Sequence, residues 1–220
     1  MSQWLMNPIR SNLRPSRRLA IAALAIAALA FSALMPVSAA FAQSPGEAPD
    51  EMVKRISTDV LGTIQADQKL QSGDTGALQT LIDQKILPYV NFERMTSSAV
   101  GRSWPQASPD QRTQLIAGFK RLLIKTYSGA MSSAGDAKLQ FRPLRAAADA
   151  NEVVVRSQVI QSAGDPIQLD YRVGKEAAGW KIYDVNVVGV WLVENYRTQF
   201  QQQISNGGID GLIATLNSRK

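Results

Sequence analysis

Beyond residue 50 the chain changes its apolar period once, from helical spacing to strand spacing. From Asp50, the residues Met52, Val53, Ile56, Val60 and Ile64 fall on one face of a helix, which Gly73-Asp74 breaks. A second helix carries Leu78, Leu81, Ile82 and Ile86 and stops at Pro88. Asn91 is placed to cap a short third helix with Phe92 and Met95 inward, ending near Gly101. Ser108-Pro109-Asp110-Gln111 combines a capping serine, a proline at the first helical position and a glutamine three residues on, which together form a capping box. It opens a long helix to about Met131, with Leu115, Ile116, Phe119, Leu122, Leu123 and Tyr127 along one face.

After Gly135 the period is two. Leu139 and Phe141 alternate with polar neighbours, as do Val153, Val155 and Val159, and then Ile167, Leu169, Tyr171 and Val173. The turn-like linkers Ala146–Asn151, Ser162–Pro166 and Gly174–Gly179 are short, which predicts an antiparallel meander of about four strands. The last and longest, from Gly179, is expected to run unbroken into a helix near Phe200. Val185, Val187, Val188, Val190, Trp191, Leu192 and Val193 cannot all share one face, so both faces of this strand must be covered. A helix bearing Tyr196, Phe200 and Ile204 follows, stopped by Gly207-Gly208, and a last helix carries Ile209, Leu212, Ile213 and Leu216. The expected architecture is one α+β domain: helices on a curved sheet, closed by C-terminal helices.

The first 42 residues read differently. Arg10, Arg14, Arg17 and Arg18 precede the apolar run Leu19–Leu34, and Ala40-Phe41-Ala42 resembles a cleavage site, the pattern of a cleaved signal peptide of Sec type. Residues 43–49 then form a polar leader and 50–220 the domain. This division changes the charge balance. The whole chain has 24 Lys+Arg against 18 Asp+Glu, but four of the basic residues and none of the acidic ones lie in 1–42. The remainder carries 20 against 18, or +2, which removes the case for nucleic acid as a partner. The export signal predicts a periplasmic protein, and a monomer is expected.

Candidate chemistry is sparse. The sequence has no histidine and no cysteine, hence neither the commonest general base nor a thiol nucleophile or disulfide. No Gly-rich phosphate loop or nucleophile elbow is present, and no cofactor or metal is implied. Among Asp165, Asp170 and Asp184, alternation turns Asp170 outward and leaves Asp184 as the one semi-buried candidate base. A hydrogen-bonded strand carboxylate is the favoured reading of Asp184. The apolar surplus fits either a well-filled core or a dry pocket for a hydrophobic ligand.

Gly179-Trp180-Lys181-Ile182-Tyr183-Asp184-Val185, Gly189-Val190 and Asn195-Tyr196-Arg197-Thr198-Gln199-Phe200 resemble the MlaC-type periplasmic phospholipid-binding proteins, the toluene-tolerance family of the lipid-asymmetry pathway. Ile86-Leu87-Pro88-Tyr89-Val90-Asn91-Phe92, Met95, Gly101, Trp104, Phe119, Leu122, Tyr127 and Gly208-Ile209-Asp210-Gly211-Leu212-Ile213 match in the same order, so the likeness spans roughly Asp50 to Leu216. The resemblance implies a nuclear-transport-factor-like cone with an apolar cavity and a phospholipid ligand. It implies no enzyme, but a soluble shuttle between an inner-membrane ABC transporter complex, with its lipid-binding ring protein, and an outer-membrane lipoprotein–porin complex. A hopanoid carrier, or a small-substrate enzyme of the same fold using Asp184 as base, is the alternative. The expected lining is Val155, Leu169, Tyr171, Val173, Ile182 and Val187 from the sheet, with Leu115, Phe119, Leu122 and Tyr127 from the long helix. Arg197 is a candidate for a headgroup or a partner, with Arg102 and Lys120 behind it, although a solvated helix face also accounts for it. Trp191 either shortens the cavity or lies on the other side of the sheet.

Overall fold

A computed structural model describes residues 46–131, 136–162 and 164–218; the expected export signal lies outside them. Helix α1 is Pro49–Ala66, beginning one residue before Asp50 because Pro49 suits the first turn, where its missing N–H is not needed. Just before it Glu47 pairs with Arg55 through two bonds of 2.8 Å. The first helix stops before Gly73-Asp74. Asp67 ends it and caps a single further turn, α2 (Gln68–Gln71). Asp74 caps α3 (Thr75–Lys85), a 3-10 turn follows at Leu87–Tyr89, and Asn91 caps α4 (Phe92–Val100) by accepting from the Arg94 amide. Gly101 closes α4 at φ 62°, a conformation that favours glycine. The capping box forms as expected. Ser108 Oγ accepts from the Gln111 amide at 3.2 Å, and Gln111 Oε1 accepts from the Ser108 amide at 3.0 Å, opening α5 (Pro109–Met131).

The sheet is a meander in the order β1 (Lys138–Phe141), β2 (Glu152–Ile160), β3 (Ile167–Glu176), β4 (Gly179–Val187) and β5 (Val190–Trp191), with every pair antiparallel. The long unbroken strand expected from Gly179 is therefore corrected. Val187 pairs with Val190 across a two-residue loop, Val188-Gly189, and both loop residues have positive φ. That backbone matches the right-handed twist of its strands and turns the chain back as a fifth, two-residue strand. Helix α6 (Leu192–Asn217) follows and kinks at Gly208 (φ 66°, ψ −170°), so its end folds back. Gly208 is non-helical, so the helix bearing Tyr196 and Phe200 stops at Gly207-Gly208 as expected and a last helical arm follows.

One buried cluster joins the strands to α1, α3, α4, α5 and α6. Helix α5 packs chiefly on α6, α4 and α3, and α1 on β1 and β2. The α5 crossing with the last arm of α6 depends on Gly118: a Cβ there would meet Leu216 Cβ at 2.8 Å. Gly118→Ala should lower stability by about 1–3 kcal/mol, overpacking outweighing the better helix propensity of alanine. Urea unfolding checks this, and an unchanged or raised midpoint would count against that close crossing.

Candidate lipid-binding site

Strand register sorts the sheet's side chains, with one shift of register between β3 and β4 at Arg172/Val173. Val155 pairs with Tyr171 and Tyr171 with Val185; Leu169 pairs with Val187; Val173 pairs with Ile182. Cross-strand partners share a face, so all six residues expected from the sheet lie on one face, and all six are buried. This inner face looks toward α1. The Tyr171 hydroxyl lies 3.2 Å from Ser57 Oγ of α1, and burial pushes its pKa up to about 12. Ser57 sits on the apolar stripe of α1 beside Ile56, four residues after Val53 and three before Val60. That placement is the signal by which the sequence could have revealed this polar pair.

The four expected helix residues reach the cluster from a second layer. Leu115 and Phe119 are buried, while Leu122 and Tyr127 are partly buried against the core. Phe119 stands edge-on to Tyr196 and Phe200 of α6, with ring centroids 5.1 Å apart in each case. Tyr127 hydrogen-bonds Tyr196, and burial raises its pKa above the ordinary tyrosine value. Leu122 also borders a cleft between α5 and the two arms of α6, with Gln199, Phe200, Gln203, Leu212, Thr215 and Leu216. The cleft has room for little more than a water molecule, far below the roughly 300 Å³ at which sites for drug-sized ligands begin. Its glutamines and threonine were not singled out in the sequence, because on a helix such residues read as solvent-facing.

The opposite, outer face carries the polar groups. Asp184 is buried: its Oδ1 accepts from the Val185 amide at 2.9 Å and the Val193 amide at 3.0 Å, and its Oδ2 accepts from Arg172 Nη1 at 2.9 Å. Val193 is the second residue of α6, so a strand carboxylate caps that helix while Trp191 at the N-cap position offers no side-chain bond. Burial raises the Asp184 pKa; the Val193 amide and the Arg172 charge oppose the rise. Arg172 also reaches Glu194 at 3.0 Å and lies 3.9 Å from the centroid of the Trp191 ring. Trp191 pairs with Asn186 and so shares the outer face, away from the expected lining. Asp170 does lie on the outward face, but it is buried and accepts from Gln168 Nε2 at 2.6 Å. Arg197 donates from Nε to the Ser98 carbonyl at 2.8 Å, tying α6 to α4. Lys120 pairs with Asp83, and Arg102 is exposed.

These placements can be set beside known proteins. The family model described as MlaC protein matches residues 54–218, nearly every described element. The chain belongs to the MlaC family. Among its MlaC relatives, the intermembrane phospholipid transport system binding protein MlaC of Haemophilus influenzae is 28% identical over 172 residues, covering 77% of this chain and 80% of the relative. The toluene tolerance protein ttg2D of Pseudomonas putida is 22% identical over 165 residues, covering 74% of this chain and 76% of that one. A solved phospholipid-binding protein from Ralstonia solanacearum, in complex with a phospholipid, superposes with a TM-score of 0.76 at 45% identity, covering 79% of this chain and 97% of that chain.

Asp184→Ala should cost about 2–3 kcal/mol, since it strands two backbone amides and a partly screened arginine. Asp184→Asn, which keeps an acceptor for the amides, should cost less. Equal stability of Asp184→Ala and the parent in urea unfolding would contradict the capping role.

Proposed function

We propose that this protein is a carrier that takes up phospholipid and holds its acyl chains against the inner face of the sheet. The observation that carries the reading is the inner face itself: Val155, Leu169, Tyr171, Val173, Ile182 and Val187 in one register, buried and almost wholly apolar. Keeping an acyl chain from water is worth about 0.8 kcal/mol per CH₂, so two chains of about thirty methylenes gain on the order of 20 kcal/mol. Such a ligand asks for no charged or catalytic group. The likeness to a protein solved with a phospholipid bound supports the ligand class. Leu115, Phe119, Leu122 and Tyr127 complete the lining from α5 in this reading, and Arg197, on the α6 surface, is available to a headgroup or a partner.

Both oxygens of Asp184 are committed to internal partners, so we assign it no catalytic step. The remaining features fit a soluble shuttle. Residues 1–42 are proposed as a cleaved export signal, residues 43–49 as a leader and 50–220 as the lipid-binding domain, acting as a monomer in the periplasm. Among the described residues no helix is long and apolar enough to cross a membrane. The proposed exchange is between an inner-membrane ABC transporter complex, with its lipid-binding ring protein, and an outer-membrane lipoprotein–porin complex. The relative named for intermembrane phospholipid transport supports this placement.

Leu169→Asp and Val187→Asp each set a carboxylate on the inner face and should abolish phospholipid retention. Lipid extraction with mass spectrometry, alongside circular dichroism to establish folding, measures it. Normal lipid content in a folded variant would remove that residue from the lining.

A further inference from the structure

The hairpin between β4 and β5 breaks a local rule without a return to the fold. Val188 is the one non-glycine residue with positive φ (51°) among the described residues, and its β-branched side chain disfavours that conformation. A two-residue loop with both φ values positive ordinarily takes Asn-Gly or Asp-Gly; here it is Val-Gly. The side chain is not repaid by burial, since Val188 is 60% exposed and its neighbour Val190 44%. Strain held at an exposed apolar tip points to something outside the chain.

The outer face beside this tip supplies a second, independent observation. The Val188 amide donates to the Gln168 carbonyl, which sets the tip at the end of the row Gln140, Gln158, Gln168. The adjacent row runs Arg142, Arg156, Asp170, Asn186, Trp191. The Arg142 amide donates to the Arg156 carbonyl at 2.9 Å, so two arginines lie directly opposite one another, with Asp170 on the far side of Arg156 as the one carboxylate of that row. Lys138, Arg142, Arg145 and Arg156 are all exposed. The ion pairs of this face go elsewhere, Arg172 to Asp184 and Glu194 and Arg94 to Glu152. Asp170, the register partner of Arg156, is buried and accepts from Gln168, and Asp136, near Lys138, is bonded to Ser162. Guarding a sheet edge against pairing accounts for Lys138 on β1 but not for Arg156, which lies on an inner strand.

We propose that this outer face and hairpin tip dock on an anionic phospholipid bilayer. Val188 enters the interfacial zone, Trp191 lies at headgroup level, and the side chains of Lys138, Arg142 and Arg156 meet lipid phosphates. Basic groups dispersed over about 14 Å of sheet, with a protruding apolar tip in place of a groove, suit a surface whose anionic groups are mobile. The surface is distinct from the inner face and does not depend on what the interior carries.

Residues 43–220, which contain every described element, should co-sediment with vesicles of equimolar phosphatidylglycerol and phosphatidylcholine and not with pure phosphatidylcholine. Arg142→Gln with Arg156→Gln should lower the partition roughly twenty-five-fold, about fivefold per charge. Val188→Asn, which supplies the favoured Asn-Gly loop, should lower it severalfold while thermal stability holds or rises. Lipid content of the purified variants should match the parent, which separates this test from that of the carrier reading. Equal binding to both vesicle types, no binding, or parent-like binding by the variants would overturn the proposal. So would a loss in the variants of association with a membrane protein complex when no vesicle binding is seen, since the face would then belong to a protein partner.

Discussion

A buried carboxylate joins the sheet to the helices that cover it. Asp184 stands on β4, yet its Oδ1 takes the amide of Val193 at the start of α6, and its Oδ2 takes Arg172 of β3. An isolated carboxylate in that position would be costly; three donors make it tenable and fix the point from which α6 departs. From there α6 carries Tyr196 and Phe200 onto Phe119 of α5, and the arm beyond Gly208 returns to close on Gly118 through Leu216. The polar work is confined to the outer face, so the inner face needs only Ser57 and Ser157 near the hydroxyl of Tyr171.

This separation of faces explains what the sequence revealed. Several helix boundaries were legible because they carry their own punctuation: Asn91 and Ser108 cap where expected and Gly101 ends α4 as expected. The inner-face residues were legible because period two survives tertiary context when one face is buried throughout. The β4–β5 hairpin was not. Its loop has one glycine rather than Asn-Gly, and the apolar run continues across it, so periodicity alone could not show that Val190 and Trp191 turn back. Asp170 was legible in its direction but not its burial, which strand alternation does not report. The polar pair Ser57–Tyr171 joins residues 114 apart, a contact invisible to local spacing.

Membership of the MlaC family gives the apolar interior a chemical context that packing alone does not. A carrier must hide a ligand whose exposure to water is very unfavourable and then release it, so shape and dryness matter more than reactive groups. The absence of histidine and cysteine from the sequence fits that demand.

Native mass spectrometry of the gently purified protein, followed by lipid extraction, tests the central claim most directly. The account predicts one diacyl phospholipid per chain. A folded protein that is isolated repeatedly with no bound lipid, and takes none up from supplied phospholipid, would contradict it and leave the inner face as an ordinary core.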